Sequence, residues 1–252
     1  MTGLVLAIAL MQPPSVQDSC KTATLLPAYA HNDYRNKRPL RDALALGYRG
    51  VEADVFRVGN ELVVAHDRSD VRLSRTLRSL YLAPLETRRR RCGYILADST
   101  PFYLNIELKE ADSTAFRYLV EQLRQFEDLF RSAVRVTLVG WWPKWDAHTW
   151  PDYLRVQLAL DRRGVGGPTG GAPVGFVSLD YGKSLKWSGK GTVPLAAQEI
   201  LAAAHDSAAA RAVPVRVHHA PVNAVVYRWL RLQGVALIGT SHLSRTRSIF
   251  ER

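Results

Sequence analysis

Cysteine is scarce in this chain of 252 residues, which has only Cys20 and Cys92. Two thiols make no disulfide framework, and their spacing suits no zinc site. From the sequence alone they form either one bridge or two free thiols. No apolar run approaches the roughly 20 residues needed to cross a bilayer. The longest candidate near the start, residues 4–11, soon meets Pro13-Pro14. It resembles the apolar core of a secretory signal, although no charged side chain precedes it. The expectation is a leader over residues 1–24 and a secreted or periplasmic protein, with the cytoplasm as the alternative. The glycine-rich stretch 164–171 lacks the Lys-Ser/Thr ending of a phosphate-binding P-loop and reads as a plain loop. No nucleic-acid-binding motif and no basic stripe interleaved with aromatics is present. Acids are outnumbered, 23 against 34 Lys plus Arg, for a formal charge of +11. That balance suits an anionic partner without choosing its kind.

What is present is apolar material in short, regular pieces. Hydrophobic residues make up 47% of the chain, enough for one large core. Strand signals fall at 25–30, 51–56, 102–108, 134–139, 155–160, 174–179, 213–217 and 235–238. A short returning strand at 61–65 follows the Gly59-Asn60 turn signal. Helical spacing falls at 38–46, 73–85, 113–130, 195–210 and 224–232. Eight strands interleaved with helices predict an α/β protein with a parallel sheet, and eight is the count of a closed (β/α)8 barrel. An open doubly wound sheet is the alternative. Residues 25–252 read as a single domain.

The chemistry gathers at strand ends. Ala30-His31-Asn32-Asp33-Tyr34, Glu52-Ala53-Asp54, His66-Asp67 and Glu107-Leu108-Lys109 each close a short apolar run. Residues two apart on a strand share a face, so Glu52 lies with Asp54 and Glu107 with Lys109. Three acids can hold one hard divalent cation through oxygen ligands. Without a cation, two inward acids on one strand would repel each other. His31 and His66 can act as general base and general acid. Lys109 can hold a negative oxygen as a point charge. His31, Asp54, Glu107, Trp141, His218 and Thr240 all fall at or near strand ends, where barrel active sites collect. Arg216 is in phase with His218, and both are candidates for the pocket.

With those motifs in their order, the chain resembles the phospholipase C-like phosphodiesterase superfamily. That superfamily includes the glycerophosphodiester phosphodiesterases and the spider-venom type phospholipases D. The similarity is closer to the bacterial and fungal branch that opens with His-Asn-Asp-Tyr and includes relatives of the fungal altered inheritance of mitochondria protein. Residues 186–191 also resemble that branch, and residues 227–240 resemble the superfamily's closing helix and eighth strand. The resemblance implies a TIM barrel, one bound Ca2+ or Mg2+ and phosphodiester cleavage. It implies His31 and His66 as catalytic residues and Glu52, Asp54 and Glu107 as metal ligands. Asn32, Lys109, Arg216, His218 and Trp141 would contact substrate. Typical glycerophosphodiesterases carry arginine directly after the first histidine, and Asn32 replaces it here. Lys109 and Arg216 would then supply the positive charge. The substrate that the resemblance implies is a small or lipid-derived phosphodiester.

Two alternatives accompany this reading. One is a phospholipase D-type enzyme releasing a cyclic phosphate. The other is an inactive basic barrel that binds anionic lipid or polymer. Arg88-Arg89-Arg90-Arg91 reads as a solvated face, with contact to an anionic membrane surface as its functional counterpart.

Overall fold

The computed structural model describes residues 20–21, 23–143, 150–161, 163–167 and 169–252. The apolar run 4–11 and His148 lie outside them. Nine strands are described: β1 (Leu26–Ala30), β2 (Tyr48–Val58), β3 (Glu61–Val64), β4 (Phe102–Leu108) and β5 (Val134–Gly140), then β6 (Leu154–Ala159), β7 (Val174–Asp180), β8 (Val215–His218) and β9 (Leu237–Thr240). Eight of them pair in parallel in the order β1-β9-β8-β7-β6-β5-β4-β2, and β1 pairs with β2 to close the ring. That closure makes the fold the expected (β/α)8 barrel and excludes the open sheet. The strands are covered on both faces, which is why they read as nearly continuous apolar runs. β3 stands outside the ring as an antiparallel partner of β2, in the register Val55↔Val64 to Val58↔Glu61.

The helices are α1 (Arg41–Ala45), α2 (Ala83–Cys92), α3 (Ser113–Arg124), α4 (Glu127–Ser132), α5 (Leu195–Ala209), α6 (Ala224–Leu232) and α7 (Leu243–Phe250). α3 shows how sequence sets local structure. The Asp112 carboxylate accepts from the backbone N–H groups of Thr114 and Ala115 and caps the helix. Phe116, Leu119, Val120 and Leu123 then form one buried stripe against the strands. Asn223 caps α6 in the same way, through the N–H groups of Val225 and Val226.

Three helical segments differ most from the sequence reading. The helix expected over 113–130 breaks at Gln125-Phe126, where N–H groups bond three residues back, to Gln122 and Leu123. The break turns the chain so that Phe126, Leu129 and Phe130 are all buried. The helix expected from residue 73 starts later, since Leu73 is exposed and the helical turns begin at Arg78. It then continues through the arginine run to Cys92. Finally, α7 was not anticipated, because its polar sequence buries little beyond Leu243 and Thr246.

The arginine run is not uniform. Arg90 pairs with Glu86 on the outside of α2. Arg88 is half-buried and donates to the carbonyls of Ile95 and Cys20. Beside it Cys20 and Cys92 form a disulfide, which settles the choice left open by the sequence. Among the described residues no helix is long and apolar enough to cross a membrane.

Candidate active site

The carboxyl ends of β1, β2, β4, β7 and β8 open into one cleft of about 630 Å³. Register does the positioning. Asp54 on β2 pairs with Glu107 on β4, and Glu52 lies one inward step below Asp54. Oxygen atoms of Glu52, Asp54 and Glu107 all lie within 4.8 Å of one another. Glu52 and Asp54 are almost fully buried, at 3% and 1% exposure, and Glu107 is partly open. Gly140 at the end of β5 has φ +77°, and a Cβ there would stand 3.3 Å from Glu107 Cγ.

Each acid has a different set of partners. Asp54 Oδ2 accepts from the Tyr34 hydroxyl at 2.9 Å and lies 3.1 Å from His66 Nδ1 and 3.3 Å from Lys109 Nζ. Asp54 Oδ1 is buried and has no partner. Buried polar atoms are nearly always paired, so such an atom on a carboxylate clustered with two others fits a cation ligand. Lys109 Nζ also reaches Glu107 Oε1 at 3.3 Å.

Glu52 holds the guanidinium of Arg216 through Oε2 at 2.6 Å, and its Oε1 lies 3.3 Å from His31 Nε2. Arg216 is 4% exposed. It also donates to Ser178 Oγ and Gln157 Oε1, and its guanidinium lies over the rings of Tyr29 and Phe176. Despite this partner Glu52 is pushed up to about 7, first by burial and then by the charges of Asp54 and Glu107. Arg216 therefore serves as counter-charge to Glu52 inside the barrel.

The two histidines are held from outside the acid cluster. Ser241 Oγ donates to the His31 carbonyl at 3.3 Å and lies 3.2 Å from His31 Nδ1. With that hydroxyl proton committed, Oγ can accept from Nδ1–H, the tautomer that would place the lone pair on Nε2 beside Glu52. Burial, with Arg216 and His219 nearby, pushes His31 down to about 4, so the ring is neutral at neutral pH. His66 follows β3, where Ala65 N–H bonds to the Asp54 carbonyl. Its Nδ1 faces the Asp54 carboxylate and the Tyr34 hydroxyl, both at 3.1 Å.

The structure thus brings together His31, His66, Glu52, Asp54, Glu107, Lys109, Arg216 and His218. It leaves two expected residues aside. Asn32 is buried, and its Oδ1 accepts from Tyr34 at 3.0 Å, so the amide braces a site residue rather than facing the cleft. Trp141 packs against the main core cluster and does not line the cleft. Asp67, next to His66, is exposed, and Asp54 with Tyr34 orients the His66 ring. Sequence reasoning missed Tyr34, Ser178, Asp180, His219, Ser241 and Gly140 as site residues. Tyr34 was visible in the His-Asn-Asp-Tyr motif, and Asp180 and His219 sat beside strand ends already marked.

Residues 17–131 match the family model described as an AIM6-like phosphodiesterase domain. An altered inheritance of mitochondria protein 6 homolog from Arthroderma benhamiae is 28% identical over 123 residues, 41% of this chain and 39% of that protein. Altered inheritance of mitochondria protein 6 from Lachancea thermotolerans is 37% identical over 101 residues, 34% of this chain and 24% of that protein. The match therefore spans well under half the length of these curated relatives. Among solved structures, a glycerophosphodiester phosphodiesterase from Agrobacterium tumefaciens has a TM-score of 0.54 at 14% identity. It covers 89% of this chain and 99% of its own. The tryptophan synthase A-subunit from Pyrococcus furiosus scores 0.51 at 17% identity and covers 91% and 95%. At these identities the solved structures show the barrel fold alone. The family and curated matches bear out the resemblance to phosphodiesterases of the altered inheritance of mitochondria branch. They also correct the expectation of export: the curated relatives carry names tied to mitochondria, not to secretion.

Proposed function

We propose that this chain, whose residues 17–131 match the model of an AIM6-like phosphodiesterase domain, is a divalent-cation-dependent phosphodiesterase acting on a glycerophosphodiester- or phospholipid-like substrate. The observation that carries the reading is the unpartnered, buried Asp54 Oδ1 on a carboxylate clustered with those of Glu52 and Glu107, with His31 against Glu52 and His66 against Asp54. Glu52, Asp54 and Glu107 would hold the cation. An all-carboxylate set favours a hard ion, Ca2+ or Mg2+. When bound, the ion supplies Lewis-acid stabilisation of the charge that develops on a phosphoryl oxygen.

The chain's own residues do the rest. His31, neutral and with its lone pair on Nε2, accepts the proton of the attacking oxygen. Ser241 fixes the tautomer that makes this available. His66, anchored through Nδ1, delivers a proton to the departing alkoxide from its other ring nitrogen. Lys109 stands beside Asp54 and Glu107 and offers its partly exposed ammonium to a phosphoryl oxygen. Arg216 keeps Glu52 ionised so that it can serve as a ligand. The attacking oxygen is either water or a neighbouring hydroxyl of the substrate, and the latter releases a cyclic phosphate.

The test is hydrolysis of bis(p-nitrophenyl) phosphate by wild type, His31→Ala and His66→Ala, with and without EDTA. The expected result is turnover that EDTA removes and that each substitution lowers by about 10²–10⁴-fold. Turnover indifferent to EDTA and to both substitutions would overturn the reading. Phosphorus NMR of the products from a glycerophosphodiester separates hydrolysis from cyclisation.

A further inference from the structure

A second group of metal-capable side chains lies across the same cleft, at the ends of β7 and β8. Ligand atoms of Asp180, His218 and His219 lie within 4.8 Å of one another. Two consecutive strand residues normally point to opposite faces. Here His218 is the last residue of β8, and His219 takes the left-handed conformation with φ +57°. That turn breaks the alternation and brings both imidazoles to the Asp180 side, with ring centroids 4.6 Å apart. Asp180 Oδ2 is 3.1 Å from His219 Nδ1 and 3.8 Å from His218 Nε2.

Those separations match a coordination sphere. Zinc–ligand bonds of about 2.0–2.1 Å in tetrahedral geometry place ligand atoms about 3.3 Å apart. The measured distances bracket that value. His218 Nδ1 faces Ser178 Oγ at 3.3 Å, the outer hydrogen bond that a metal-ligating histidine usually makes. Ser178 Oγ accepts from Arg216 on its other side, which fixes its orientation. The competing cation is Lys183, whose Nζ lies 3.5 Å from Asp180 Oδ2, but its side chain is 83% exposed and free to swing away.

We propose that Asp180, His218 and His219 form a second cation site, for a borderline-soft divalent ion such as Zn2+, separate from the all-carboxylate site. Two imidazoles and one carboxylate suit such an ion, whereas Ca2+ and Mg2+ prefer the oxygen-only set. Three protein ligands leave a coordination position open toward the cleft. An anionic oxygen of a ligand would occupy it. His219 stands 5.9 Å from His31, centroid to centroid, so this position faces the same space. The inference does not depend on phosphodiesterase activity.

The test uses the full chain, stripped of metal and held in excess Mg2+ to occupy the carboxylates. Co2+ is the probe, since nitrogen ligation in a four- or five-coordinate site gives visible d–d bands. The expected result is one equivalent of Co2+ with such bands, displaced by Zn2+. His219→Ala and Asp180→Asn lower the Co2+ affinity by at least about tenfold. Glu107→Gln leaves it unchanged. His219 is more than half exposed, so its replacement leaves folding intact, which circular dichroism confirms. Absence of the bands in wild type overturns the proposal. So does Co2+ binding that survives His219→Ala or disappears with Glu107→Gln, which places the ion elsewhere.

Discussion

Replacing Glu52 by Gln should stabilise the metal-free protein while destroying its function. Glu52 has an ordinary value of 4.5 and is pushed up to about 7 by burial and by Asp54 and Glu107. Between those values the folded protein keeps a proton that the unfolded chain has released. Stability therefore falls as pH rises through the window, and the loss is complete above about 7. The interval corresponds to about 3 kcal/mol. Gln has the shape of the protonated acid and escapes this loss. In EDTA at pH 8, Glu52→Gln should be more stable than wild type by about 3 kcal/mol, or roughly 6–12 °C in Tm for a chain of this size. At pH 4 the two should melt together. Added Ca2+ or Mg2+ should raise the wild type and leave the variant where it was. Thermal denaturation at four pH values, with and without EDTA, reads all of this. A variant less stable than wild type in EDTA at pH 8 would refute the reasoning, since burial of the Glu52 charge would then carry no cost.

Other outcomes follow from single contacts. Arg216→Met leaves the buried Glu52 charge without its partner and should cost about 3–5 kcal/mol at pH 8, a loss that Glu52→Gln in the same chain should largely restore. Gly140→Ala combines left-handed strain of about 1–2 kcal/mol with a Cβ against Glu107, so calorimetry should show weaker Mg2+ binding. Gly93→Ala carries similar strain with nothing within 4 Å, and should lose stability while keeping Mg2+ affinity. Cys20→Ser opens a bridge across 72 residues and should lower stability by roughly 4 kcal/mol in urea denaturation.

The barrel was legible because the strands are apolar runs separated by helical spacing, and several carry a polar residue at or near the mouth. Glu52, Asp54, Glu107 and Lys109 could be placed on shared faces by spacing alone, since period-two geometry leaves no freedom. Contacts that cross the barrel could not be read in this way. The grip of Arg216 on Glu52 joins residues 164 apart, and the Ser241 bond to His31 joins residues 210 apart. Nor could the backbone turn at His219 be foreseen, because a non-glycine residue at positive φ has no strong local signature. The placement of Asn32 was hidden for a related reason: it stands in the left-handed conformation, at φ 50°, with its Oδ1 at 3.0 Å from the Tyr34 hydroxyl.

The hairpin of β2 and β3 has a mechanical consequence. His31 stands on the barrel wall, whereas His66 rides on an appendage outside the closed ring. The appendage is held by its ladder to β2, by Val64 N–H on the Arg75 carbonyl, and by the Tyr118 hydroxyl on Asn60 at the tip. Leu62, Val63 and Val64 on β3 are fully buried, and Leu62 and Val64 join the main core, so the arm is locked to the ring by packing as well as by its ladder. Heating or mild denaturant should therefore hold the two histidines together until the main melting transition, with activity and fold lost in one step. Residues added at the Gly59-Asn60 tip would be tolerated, whereas one residue added within β3 would turn His66 to the opposite face.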